Sequence, residues 1–257
     1  SWISMSRIFG TTWFYLTLWA WVTMLMMVVA FVWTAAVWLG SGGRPSIRQP
    51  VLRSGAALAA VTTLSMIVLA PSTDHPEQRL GDTVGAVVDP TAAALSAGDG
   101  SDGRYVVFWT DAHSFGSQGY ALVNELERRG FDVGVYEPWS VPVTSHRVIG
   151  IEDADAEVIW ATGSFVEQWR RDDRVVEVAT IEPRSIAELA EFSELRTRLI
   201  VDLTDNGLDD LVPVVDANLF GVRIDPRLSD DALAISRAML LLDQNAAVFI
   251  GPPGVSQ

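Results

Sequence analysis

Apolar and polar positions follow two regimes along the chain. From Ile8 to Gly43 there is no charged residue, and the centre reads "WFYLTLWAWVTMLMMVVAFVWTAAVWLG". About 20 apolar residues suffice to cross a bilayer as a helix, so a transmembrane helix is predicted over about 12–39. Trp13, Tyr15 and Trp19 crowd one end and Trp33 and Trp38 the other, where interfacial aromatic belts belong. A second uncharged run, "SGAALAAVTTLSMIVLAPST", predicts a span over about 54–72. Its Gly, Ala, Ser and Thr suit a helix that packs closely on neighbours. The intervening loop, 40–53, carries Arg44, Arg48 and Arg53, and the positive-inside rule places it in the cytoplasm. Residues 1–73 thus read as a membrane hairpin with both ends outside.

Beyond this hairpin the pattern changes. Residues 74–103 are rich in Pro, Gly, Asp, Ser and Thr and read as a linker, with room for one short helix at "DTVGAVV" or "DPTAAALSA". From 104 onward strand-like and helix-like runs alternate. The strand-like runs are "YVVFWT" (105–110), "DVGVY" (132–136), "EVIWAT" (157–162), "VVEVATI" (175–181) and "AAVFIG" (246–251). Most are apolar on both faces, as strands covered on both sides are. Ser164 to Glu167 and Ser185 to Glu188 both read S-x-x-E, a capping-box signature at a helix start. After Ser185, Ile186, Leu189, Phe192, Leu195, Leu199 and Leu203 recur every three or four residues, predicting one buried stripe of a long helix. A last helix is predicted from near Ser229, feeding the final strand.

Alternating β and α segments predict an α/β domain over 104–257, with a mainly parallel sheet covered by helices. Right-handed crossovers make this a three-layer Rossmann-like or flavodoxin-like domain. The sequence does not yield a strand order.

Charge follows the same division. All 32 acidic residues come after position 73, whereas the first 73 residues hold four Arg and no acid. The acidic part lacks the basic surface that phosphate neutralisation requires, so nucleic acid is excluded as a partner. There is no cysteine, which removes disulfides and thiolate chemistry.

Ligands of such sheets bind beyond the carboxyl ends of the strands. The turns "TDAHSFGSQG", "ATGS" and "IGPPG" stand there, offering Asp111, His113, Ser114, Ser117, Thr162 and Ser164 together with free N–H groups at two helix starts. A hydroxyl-rich or anionic ligand suits those donors. The bland reading is that Gly116 and Gly119 only let the chain turn, while Ser117 and Ser164 cap helices. The glycines of "GSQG" lack the order of a dinucleotide fingerprint, so a dinucleotide is rejected. His113 and His146 have no metal-ligand spacing, and Asp153 and Asp155 lie in a solvated acidic loop. No metal or cofactor is expected. The loop "EPWSVPVTSHRV" offers Trp139, His146 and Arg147, an aromatic face with nearby donors of the kind that holds sugars.

The order of Trp-rich spans, an Arg-bearing turn and an acidic α/β domain resembles the end of actinobacterial polytopic membrane proteins. With the segment "LVNELERRGFDVGVYEPWSVPVTSHRV", it is similar to C-terminal regions of the C-type glycosyltransferase superfamily, which uses polyprenyl-phosphate sugars. That resemblance implies a bacterial cell-envelope protein whose extracytoplasmic domain assists binding of a glycan acceptor or a lipid-linked donor. The family's catalytic acid lies in its first extracytoplasmic loop, and no residue here matches that position, so no catalytic residue is carried over. The chain opens "SWISMSRIF", without an initiator Met or a cleavable signal pattern. An outside N-terminus therefore leads us to expect further membrane helices ahead of it in a longer chain. The rival expectation is a non-enzymatic, membrane-anchored module that binds a partner or senses an envelope ligand. A hydrolase using Asp111 and His113 is a third, requiring those side chains to share one pocket.

Overall fold

The computed structural model describes residues 18–41, 64, 78–111 and 116–257. The chain divides into two units, 1–76 and 77–257. In the first, α1 (Leu18–Ser41) is a 24-residue helix without a charged residue. Val22, Leu25, Met26, Val29, Val32 and Trp33 are all exposed on it. Many side chains of α1, and nearly all of the second apolar run, lie outside the described residues. So do residues 42–53 with their three arginines. Among the described residues no helix is long and apolar enough to cross a membrane.

The second unit is a mixed α/β domain around a five-stranded sheet. Its strands are β1 (Arg104–Thr110), β2 (Asp132–Gly134), β3 (Ala156–Thr162), β4 (Val176–Ile181) and β5 (Ala246–Gly251). All five correspond to the apolar runs read from the sequence. Their order across the sheet is β2-β1-β3-β5-β4. β1 is parallel to β2 and to β3, with Trp109 opposite Trp160, whereas β5 is antiparallel to both β3 and β4. Four strands therefore share one direction, and the fifth runs against them from an interior position. This qualifies the expectation of a mainly parallel sheet. A strand buried on both faces has the same apolar composition in either direction, so its sense is not encoded in its own residues.

Alternation along each strand divides the core. Tyr105, Val107, Trp109, Val158, Trp160 and Val248 face one side, where they pack with helices α2 (Gln78–Ala97) and α3 (Ser117–Arg128). Val106, Ile159, Ala161 and Phe249 face the other, under α4 (Ser164–Arg170), Ile149 and Val255.

Helix α2 corrects the linker reading of 74–103. It spans 20 residues and buries Thr83, Val84, Val87, Val88, Thr91 and Leu95. Those positions follow helical spacing, but Gly81, Gly85 and Pro90 dilute the signal in the sequence. Pro90 is exposed on the outer face, where the lost N–H bond is tolerable because the buried stripe holds the helix.

Between β4 and β5 lie α5 (Ile186–Asp205), α6 (Leu219–Arg223) and α7 (Asp230–Leu241), with a core of their own that includes Leu199, Leu203, Leu219, Val222, Ile235 and Met239. The capping box at Ser185 and Glu188 is present, with both reciprocal bonds made, and Ser229 caps α7. The single-stripe prediction for α5 holds only in its second half. Leu199 and Leu203 are buried, but Ile186 is 88% exposed and Leu189 38%.

Candidate functional site

At the carboxyl end of β1 the structure brings Asp111 and Thr162 together. Thr162 Oγ1 donates to Asp111 Oδ1 at 3.2 Å, and the Gly116 N–H donates to Asp111 Oδ2 at 2.9 Å. The carboxylate thereby closes its own loop, back to a glycine with φ of 74°. His113 and Ser114 lie outside the described residues. Ser117 is the first residue of α3 and is exposed, and the cap position belongs to Gly116. Ser164 is likewise no cap, because Gly163 precedes it in that role. The Ser164 hydroxyl instead donates to the Asp216 carbonyl at 2.9 Å, and Glu167 pairs with Arg170. The capping-box reading at Ser164 is thus overturned, since Gly163 holds the cap position at φ 57° and has no side chain to accept a helix N–H.

The glycines of this turn have a steric explanation. A Cβ on Gly116 would sit 2.0 Å from Trp109 Nε1, and one on Gly119 2.4 Å from Trp109 Cε3. Trp109 thus lies directly beneath the turn, edge-on to Tyr120 at a centroid separation of 4.5 Å.

The loop between β2 and β3 is built on the same cluster. Trp139 stands 5.1 Å from Trp109, centroid to centroid, and Tyr120 donates its hydroxyl to the Trp139 carbonyl at 3.0 Å. Trp139 nevertheless remains 38% exposed, so it rests on the core and still offers a face.

His146 and Arg147 are tied to α3. Arg147 donates to Asn124 Oδ1 at 2.5 Å and pairs with Glu127, while His146 Nε2 lies 3.2 Å from Glu127 Oε1. The Arg147 guanidinium, seconded by His146, holds Glu127 below the usual carboxylate range against a smaller opposing effect of burial. These two residues anchor the loop, which leaves Trp139 as the member of that trio free to meet a ligand. Just beyond, Val135 and Val148 form a parallel bridge that extends the sheet edge.

On the opposite side of the sheet from Trp109 a groove of about 480 Å³ opens between this loop, β1 and residues 256–257. Phe108, Tyr136 and Trp139 supply aromatic walls, Ile149 and Ile151 aliphatic ones, and Glu137 and Glu152 carboxylates. Phe108 and Tyr136 stand 6.4 Å apart with a 51° tilt. Behind the floor lies Glu157, fully buried on β3. Its Oε2 accepts from the N–H groups of Gly254 and Ser256 at 3.0 and 3.4 Å. The Tyr136 hydroxyl, Glu157 Oε1 and Ser256 Oγ are buried together, close enough to influence one another but without a hydrogen bond of good geometry. Burial first, and then the Glu157 carboxylate, push the Tyr136 phenol above its ordinary value, so it stays a neutral donor.

None of these groove residues except Trp139 stood out in the sequence as a site. Glu157 carried a usable signal, a charge in register with Ile159 and Ala161 inside an otherwise apolar strand. Ser256 carried none. Among the described residues no group of three or more His, Asp or Glu could hold a metal ion. No family model, no curated protein and no solved structure matches the chain.

Proposed function

We propose that residues 77–257 form a non-catalytic domain that binds a saccharide in the groove beside Trp139. In this reading the N-terminal part anchors the domain at the outer face of a bacterial cell membrane. The whole is the C-terminal region of a glycosyltransferase-like membrane protein, in which the domain assists binding of a glycan acceptor or a lipid-linked donor. The observation that carries the reading is Trp139 itself, whose ring stands 5.1 Å from that of Trp109 and which lines the groove while remaining 38% exposed. A stacked sugar ring places its C–H face on the indole and its hydroxyls within reach of Glu137 and Glu152.

The membrane assignment is supported by the uncharged run of residues 8–43 and by the apolar side chains of α1 that are exposed. The flavodoxin-like reading is supported by the β2-β1-β3 order and by helices on both faces. A non-enzymatic anchored module is favoured over a hydrolase by the engagement of Asp111 with Thr162 and Gly116, and of His146 and Arg147 with Glu127.

The test is titration of the full chain, reconstituted in lipid nanodiscs, with a panel of neutral and amino saccharides, followed by tryptophan fluorescence and calorimetry. Binding that is lost in Trp139→Ala, with the melting temperature unchanged, supports the reading. A panel in which no saccharide binds overturns it.

A further inference from the structure

We propose that the groove selects a ligand bearing an organic ammonium group, so that, resting on the saccharide reading above, its preferred sugar carries a free amine. Three observations converge. Phe108, Tyr136 and Trp139 line the groove, and aromatic rings attract a cation through their quadrupole. The rim carries Glu137 and Glu152, and among the described residues no arginine or histidine lines the groove. Glu152 is folded back over Gly150, its carboxylate 2.8 Å from the place a Cβ there would take, which keeps its charge beside the groove. Behind the floor the carboxylate of Glu157 is buried against the N–H groups of Gly254 and Ser256, and the phenol of Tyr136 and the hydroxyl of Ser256 lie beside it without a well-formed bond.

Among the described residues none of Glu137, Glu152 and Glu157 is in an ion pair with an arginine or histidine, although fourteen such pairs form elsewhere in the domain. The acidic residues of this face are therefore left uncompensated where low-dielectric aromatic walls concentrate their field. A cation is the ligand that such a field favours. An acetylated amine, neutral and bulkier, loses both the charge and the aromatic attraction.

The experiment compares a glucosamine tetramer, the matching N-acetylglucosamine tetramer and tetramethylammonium as probes. Each is titrated by calorimetry against the full chain in phosphatidylcholine nanodiscs, with empty nanodiscs as control. The expected result is roughly tenfold tighter binding of the free-amine tetramer. In Glu137→Gln and Glu152→Gln that preference should shrink toward unity without a change in melting temperature. Equal affinity for the two tetramers overturns the ammonium proposal and leaves the saccharide reading standing. Binding of tetramethylammonium with neither tetramer supports the ammonium proposal and overturns the saccharide reading. Binding of none of the three overturns both. Tyr136→Phe provides a second check, since it keeps the aromatic wall and removes the buried hydroxyl. Retained amine preference there supports selection by charge, and loss of it in Phe alone, with the Gln variants unaffected, overturns it.

Discussion

The indole of Trp109 occupies the space that a side chain on Gly119 would fill, with Cε3 only 2.4 Å from the position of a Cβ. A methyl group there must displace either a ring held under α3 or the helix itself. Gly119→Ala is expected to destabilise the domain by about 1–3 kcal/mol, the usual cost of overpacking a core. In a Trp109→Leu background the same substitution should cost markedly less, because the obstructing ring is gone. Chemical denaturation of the four proteins of this double-mutant cycle checks both statements.

Arg147 holds the β2–β3 loop to α3 through Glu127 and Asn124. Arg147→Ala should leave the sheet intact and loosen residues 137–149. Hydrogen exchange at Val135 and Ile149, whose N–H groups bond across the sheet edge, should quicken at least several-fold relative to β1 and β3. Uniform quickening throughout the domain would contradict a local anchoring role.

Glu188 accepts from the Ser185 backbone and from Arg79, which it meets at 2.7 Å, and these contacts lower its pKa from 4.5 to about 2. A carboxylate whose folded pKa is depressed adds stability that is fully present above its unfolded value. That contribution fades as pH falls toward the folded value. The melting temperature of Glu188→Gln should therefore lie below that of the parent at pH 6, and the two should converge between about pH 4.5 and 2. A gap that persists at pH 2 would assign the loss to packing instead.

Glu157 is fully buried, and its Oε2 serves the N–H groups of Gly254 and Ser256. Glu157→Leu deprives both donors of their acceptor. The expected cost is about 1–3 kcal/mol, with fast amide exchange at residues 254–256. Glu157→Gln retains a carbonyl acceptor and should cost less.

Sequence patterning revealed the strands well because each is a run rich in β-branched and aromatic residues, and the central ones bury both faces, as Val106, Val107, Ile159 and Trp160 do. It failed at α2, where the buried positions keep helical spacing but glycines and Pro90 intervene. It failed at Ser164 because a local signature cannot tell that Gly163 will take the cap and that the Asp216 carbonyl will take the hydroxyl. Of the residues read as a site, Asp111 and Thr162 do meet, and Trp139 is exposed beside a groove. The rest of that groove is assembled from segments more than a hundred residues apart, such as Tyr136 and Ser256. No local pattern connects those.

The placement of β5 also orders the events of folding. β4 has a single neighbour in the sheet, and that neighbour is β5. While the chain is being made, β4 emerges with no strand to pair with and must wait through the whole of α5, α6 and α7. During that interval β3 presents an open hydrophobic edge, the kind that recruits other chains. Formation of the sheet then depends on contacts distant in sequence, which are slow to find. Pulsed hydrogen exchange during refolding should show β4 and β5 gaining protection in one late step, after β1 has already paired with β2 and β3.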